Sequence, residues 1–164
     1  MSQEQLAEKL SVSEAAAKEA VSIFVQIPSS YIGKIECAVN AQTEEIRSLE
    51  CDSIELDVKT PNIVLEDVSG TVEIDCNLDM EVVCHSLKGE VAINQVSTTS
   101  KIYIPESTTF TALAKGISTS ISYEKDGKQT DAFSVPDAEN IIELNGIKSE
   151  LVICAFGEGH YGTV

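Results

Sequence analysis

The chain has 164 residues, of which 27 are acidic and 11 basic, for a formal net charge of −16 at neutral pH. Such a charge repels phosphate backbones and anionic lipid surfaces, which excludes nucleic acid as an expected partner and leaves a cationic ligand admissible. A hydrophobic content of 43% is too high for a disordered acidic tail, and without Trp and with only 5% aromatics the core must come from Ile, Val and Leu, residues that favour strands.

Residues 3–20 are rich in Ala, Glu, Lys and Leu and read as a helix, with Leu6 and Leu10 on one side. The segment 1–20 is therefore expected to be a helical arm or end cap, and 21–164 a single repeat domain. The opening MSQEQLAEKL carries no basic segment followed by an apolar run, and nowhere do the ~18 apolar residues of a membrane span occur. The expectation is a cytoplasmic protein without membrane insertion, or a cell-surface one if the natural chain begins earlier. VSIFVQIP at 21–28 reads as a strand ended by Pro28.

From residue 54 onward the pattern is regular. Apolar doublets recur at Ile54/Leu56, Ile63/Leu65, Val72/Ile74, Met80/Val82, Val91/Ile93 and Ile102/Ile104. One residue separates the members of each doublet, the period of a strand with one buried face. The doublets start 9, 9, 8, 11 and 11 residues apart, so two successive steps sum to about 18 or 19. Ile54, Val72 and Val91 are then expected to stack on one side of a flattened coil, and Ile63, Met80 or Val82, and Ile102 on the other. GKIECAV (33–39) and RSLECDS (47–53) read as weaker coils of the same kind. After Pro105, residues 118–135 read as a β-hairpin around Asp126-Gly127, and 140–146 and 150–156 as two further strands. The predicted fold is all-β: a single-stranded right-handed β-helix-like solenoid with an N-terminal helical appendage and a C-terminal hairpin.

Val68-Ser69-Gly70-Thr71-Val72-Glu73-Ile74 and its weaker copy Leu87-Lys88-Gly89-Glu90-Val91-Ala92-Ile93 resemble the recurring coils of the DUF4097 family of putative adhesin-like β-strand repeat proteins. Residues 100–118 resemble that family's proline-ended strand, and 150–164 its closing coil. The resemblance spans about residues 21–164. It implies a right-handed β-helix-like fold and lends no catalytic residue.

Candidate chemistry is sparse. Residues beside the buried doublets face outward, so Glu55 and Asp57 are expected one coil away from Glu73 and Asp75, with Asn94 next in line. Such a ladder would suit Ca²⁺, though it reads first as a solvated negative face that discourages sheet association. Cys76 and Cys84 fall in the inward phase and His85 in the outward one, which argues against a zinc site. The five cysteines, Cys37, Cys51, Cys76, Cys84 and Cys154, are odd in number and widely spaced, unlike a disulfide framework. Tyr103, Tyr123, His160 and Tyr161 are candidate interaction residues; Tyr103 faces outward between Ile102 and Ile104, where an aromatic needs a packing partner. No convergent acid–base or nucleophilic set is legible. The expected function is thus a non-enzymatic adhesin-like scaffold or protein-interaction module, with no cofactor, a protein partner and homodimerisation. A polysaccharide-binding or polysaccharide-cleaving domain, Ca-dependent if the ladder binds, is the alternative.

Overall fold

The computed structural model describes residues 22–130 and 133–157. The expected helix at 3–20, His160 and Tyr161 lie outside the described residues. What is described is all-β, with no helix, in eleven strands: β1 (Lys34–Val39), β2 (Thr43–Val58), β3 (Asn62–Asp75), β4 (Glu81–Cys84), β5 (Leu87–Val96), β6 (Thr99–Pro105), β7 (Phe110–Ile117), β8 (Ser120–Lys125), β9 (Lys128–Thr130), β10 (Asn140–Ile147) and β11 (Glu150–Phe156).

All pair in one open, curled sheet, and every pairing except β8 with β9 is parallel. The long strands make the curl. The first half of β3 pairs with β4, in the register Ile63 to Val82, whereas its second half pairs with β5, in the register Val72 to Val91. β2 divides in the same way, with a register shift between Glu50 and Ser53. Two walls result, both contributing to one core. On the front wall the inward rows run Ile35, Ile54, Val72, Val91, Ile142, Ala112 and Cys37, Leu56, Ile74, Ile93, Leu144, Ala114. On the back wall one inward row runs Glu44, Ile63, Val82, Ile102, Ile153, Tyr123.

The doublets therefore stack as their spacing predicts. Ile54, Leu56, Ile63, Leu65, Val72, Ile74, Val91, Ile93, Ile102 and Ile104 are all buried. At the fourth doublet Val82 and Cys84, not Met80 and Val82, continue the back wall, because β4 starts only at Glu81. Residues 22–28 differ from expectation: they form no strand, and Ile23, Phe24 and Val25 are 69%, 91% and 77% exposed. A turn after Pro28, closed by the Tyr31 N–H donating to the Pro28 carbonyl at 2.9 Å, redirects the chain before β1, and among the described residues no strand pairs with this segment.

The repeated Val-Ser-Gly and Leu-Lys-Gly have a steric cause. Gly70 and Gly89 are register partners at φ of 116° and 121°, a region L residues avoid. A Cβ on Gly89 would lie 2.3 Å from the Gly70 carbonyl oxygen, and one on Gly70 would lie 1.9 Å from that of Cys51.

The order of the last strands is not the order of the chain. β10 lies between β5 and β7, and β11 between β6 and β8. Beyond them, β8 and β9 form the hairpin expected around Asp126-Gly127. Phe110, Tyr123 and Phe133 close that end of the core, with ring centroids 5.5–6.2 Å apart.

At the opposite end Glu44 occupies a core position, with its Oε2 buried and without a hydrogen-bond partner. Burial pushes its carboxyl above the ordinary glutamate range, and a hydrogen bond with Cys37 only partly offsets this. A buried polar atom without a partner costs about 1–3 kcal/mol. Glu44→Leu is therefore expected to raise stability by about 1 kcal/mol at pH 7, read from urea unfolding. The native carboxyl binds its proton more tightly than the unfolded one, so the penalty is fully present at high pH and relieved as pH falls through the folded pKa. The gain from Glu44→Leu should accordingly shrink on acidification; a gain that is independent of pH would refute the assignment.

Candidate functional site

The front wall presents the acidic ladder in the arrangement its spacing predicts. Glu36, Glu55 and Glu73 are successive register partners, and so are Asp57, Asp75, Asn94 and Asn145. Parallel neighbours lie ~4.8 Å apart, so the carboxylates would repel if left alone. Instead, donors are threaded through them. Lys34 Nζ lies 3.2 Å from Glu36 and 2.6 Å from Glu55. Asn94 Nδ2 donates to both Glu73 and Asp75 at 2.7 Å, and Asn145 Nδ2 donates to Glu143 at 2.8 Å and to Asn94 Oδ1 at 3.1 Å. Lys115 Nζ completes the run 2.5 Å from Glu143. Burial opposes ionisation of Glu143, yet the Lys115 and Asn145 hydrogen bonds outweigh it and hold the carboxyl below its usual range.

Amides and ammonium groups thus occupy several of the oxygens a cation would need. Among the described residues, no group of three or more His, Cys, Asp or Glu is arranged to hold a metal. Cys76 and Cys84 are buried in the core, and the His85 ring meets Phe156 edge-on at 6.4 Å. Burial pushes the Cys84 thiol up to about 12, and burial together with Glu44 pushes Cys37 up to about 11. Neither thiol is poised as a nucleophile at neutral pH.

The ladder ends in a groove. Where the front-wall strands finish, Asp57, Asp75, Asn94 and Asn145 meet a concavity of about 470 Å³. Lys59 and Asn77 line it as well. Its apolar rim is Leu78, Val96 and Ile147, 42%, 50% and 47% exposed. Val96, Ile147 and Ile117 are register partners, so the apolar row continues along the stack. Each precedes a residue in the left-handed region, Ser97, Lys148 or Ser118, where the chain leaves the wall.

Beneath the rim the backbone is held rigidly. Gln95 is buried; its Nε2 donates to the carbonyls of Thr98 and Glu150 at 3.3 and 3.1 Å, and its Oε1 accepts from Ser100 Oγ at 2.6 Å. Ser149 Oγ donates to the Gln95 carbonyl at 3.1 Å. A network satisfied in this way fixes a corner in one conformation.

Neither the rim nor the Gln95 network was among the sequence candidates. Leu78, Val96 and Ile147 sit at turn boundaries, where the pattern predicts only turn formers. For Val96 and Ile147 the available signal was an apolar residue directly before a Ser or Lys that must turn; Leu78, followed by Asp79, carried no such signal.

The interaction candidates separate. Tyr103 is half-buried on the outer face of the back wall, in the register row Val64, Val83, Tyr103, Cys154, Glu124. Its hydroxyl lies 3.4 Å from Glu81, and burial, then the Glu81 charge, pushes its pKa up to about 12. Its packing neighbour is Cys154 rather than Tyr123, which turns inward onto Phe110 and Phe133. Cys154 itself is outward, since Leu151 and Ile153 take the core positions of β11.

No known protein family, curated protein or solved structure matches the chain.

Proposed function

We propose that the protein is a non-enzymatic interaction module, an adhesin-like scaffold on a right-handed β-solenoid, whose corner groove takes an extended, cationic segment of a protein partner. The observation that carries this reading is the groove itself. It sets Asp57 and Asp75 beside the exposed apolar row of Leu78, Val96 and Ile147. An extended segment presents alternate side chains to opposite sides. A basic residue meeting the carboxylates and an apolar one meeting the rim is the pattern such a groove would accept. The Gln95 network supports it further, because a preformed corner loses little entropy on binding.

The test uses a fluorescein-labelled peptide of alternating Lys and Val, with a Lys–Ser peptide of equal charge as control. Fluorescence anisotropy is expected to report binding that weakens with salt, with the Lys–Ser peptide at least about tenfold weaker. Replacing Asp57 and Asp75 by Lys should reduce affinity for the Lys–Val peptide by about tenfold or more, whereas Asp126→Lys on the β8–β9 turn should leave it nearly unchanged. A loss of binding free energy from Asp126→Lys about half that of the double change, in proportion to the charge introduced, would mean that the peptide senses only the net charge, and the groove reading would fall.

A further inference from the structure

The two ends of the sheet are finished differently. At one end the aromatic cluster and the antiparallel β9 close the core. At the other, among the described residues, β1 pairs only with β2 and residues 43–47 of β2 pair only with β3. Ile35, Cys37, Val39 and Ile46 are only partly buried there. The segment leading into this end carries the exposed Ile23, Phe24 and Val25. An unpaired edge with apolar side chains is a template for another strand.

Both open strands carry the same charge device. Lys34-Ile35-Glu36 in β1 and Glu45-Ile46-Arg47 in β2 each place an inward, half-buried isoleucine between outward opposite charges. In an antiparallel pair, directly opposed residues share a face. Pairing β1 with a second β1 about a two-fold axis through Ile35 sets Lys34 of each copy against Glu36 of the other. Pairing 43–47 with itself about Ile46 sets Glu45 against Arg47 in the same reciprocal way. Shifting the first axis to Glu36 would instead oppose Glu36 to itself, which fixes the register.

One axis serves both strands. Cys37 and Glu44 meet across the core through a side-chain hydrogen bond. The chain reverses between them at residues 40–42, so Ile35 and Ile46 face one another two residues further along. A two-fold axis through both isoleucines is perpendicular to both walls and continues each of them into the second copy.

We infer that the β1 end is a homodimer interface, in which a second copy of this chain joins end to end through antiparallel β1–β1 and 43–47 edge pairing. The surface is self-complementary, as a two-fold interface requires. Within each copy Lys34 pairs with Glu36 and Glu55, and Arg47 with Glu45 and Glu66, so the paired strands keep a cation beside each outward carboxylate although the two chains each carry a net charge of −16. Glu44 at this end makes the seam weaker than an all-apolar one.

Sedimentation equilibrium and light scattering on the full chain at neutral pH are expected to give a reversible dimer. Glu36→Lys combined with Glu45→Lys places like charges at every reciprocal contact and should weaken dimerisation by about tenfold or more, with an unchanged far-ultraviolet spectrum. Adding Lys34→Glu and Arg47→Glu to that pair restores complementarity across the seam with the signs exchanged, and should recover most of the lost dimerisation, short of the full value because Glu55 and Glu66 then each face a like charge in place of the cation they pair with. Hydrogen exchange on the unaltered chain provides a second reading: amides of residues 34–39 and 43–47 should gain protection as concentration rises. A monomer at all concentrations would overturn the inference. So would a dimer that ignores the charge changes and leaves those amides unprotected.

Discussion

Ending the chain after Glu139 is expected to unfold β7, β8 and β9 in addition to removing β10 and β11. Among the described residues β7 pairs with β10 alone, and β8 with β11 and the short β9. The segment 110–130 is therefore attached to the rest of the protein through strands that come later in the chain. Those strands also supply Ile142, Leu144, Leu151 and Ile153, each fully buried. At about 1.5–3 kcal/mol for each buried side chain, their loss removes about 6–12 kcal/mol, comparable to the whole stability of a domain. Hydrogen exchange followed by mass spectrometry should show residues 110–130 exchanging at unfolded-chain rates. Retained protection there would mean that β7 and β8 re-pair directly with β5 and β6, and that the inserted order is only a local preference.

Side-chain size accounts for that order. The inward residues of β10 are Ile142 and Leu144, which continue the rows of Val91 and Ile93 at full burial. Those of β7 are Ala112 and Ala114, too small to cover a core from within but adequate in the outermost position, where Phe110 with Tyr123 and Phe133 does the covering. Placing β10 inside and β7 outside buries the larger pair on both sides. The sequence carries this contrast, since NIIEL is plainly a better core strand than FTALA. Spacing alone could not reveal it, because spacing assumes that neighbours in the chain are neighbours in the stack.

Where that assumption holds, the stacking was legible almost to the residue, the exception being the fourth doublet, where Val82 and Cys84 take the places read for Met80 and Val82. The doublets from Ile54 to Ile104 stack in steps of 18 to 20 residues, and the outward Glu55, Asp57, Glu73 and Asp75 line up as their parity requires. It failed at VSIFVQIP, whose strand-like composition says nothing about whether a partner strand is within reach. It also failed at the groove. Parity assigns a residue to a face, but Leu78, Val96 and Ile147 lie where the chain leaves the face, and only the paired ends of three strands bring the last two together with the carboxylates. The ladder's wiring lay between these cases. Asn94 was visible as the next rung, whereas the Asn145 and Lys115 links depend on β10 entering out of sequence.

Gly89→Ala is expected to be strongly damaging, as are Gly70→Ala and Gly116→Ala for the same reason, lowering stability on the order of 3 kcal/mol. Two effects combine at this site. The residue sits at φ 121°, outside the small left-handed region that Asn or Asp tolerates, and its new methyl would lie 2.3 Å from the Gly70 carbonyl oxygen. Gly127→Ala separates the two, because Gly127 has φ 70° with nothing within 4 Å of its absent Cβ, so strain alone should cost about 1 kcal/mol there. Urea unfolding of both variants gives the comparison directly; losses of similar size would show that the Gly89–Gly70 contact relaxes freely. The contact lies on the same strands, β3 and β5, that carry Asp75, Asn94 and Val96 into the groove. Forcing those strands apart at Gly89 would lengthen the Asn94 bridge to Glu73 and Asp75, so a folded Gly89→Ala protein should also bind the Lys–Val peptide more weakly than the wild type. Gly127→Ala, at the far hairpin, should bind it normally.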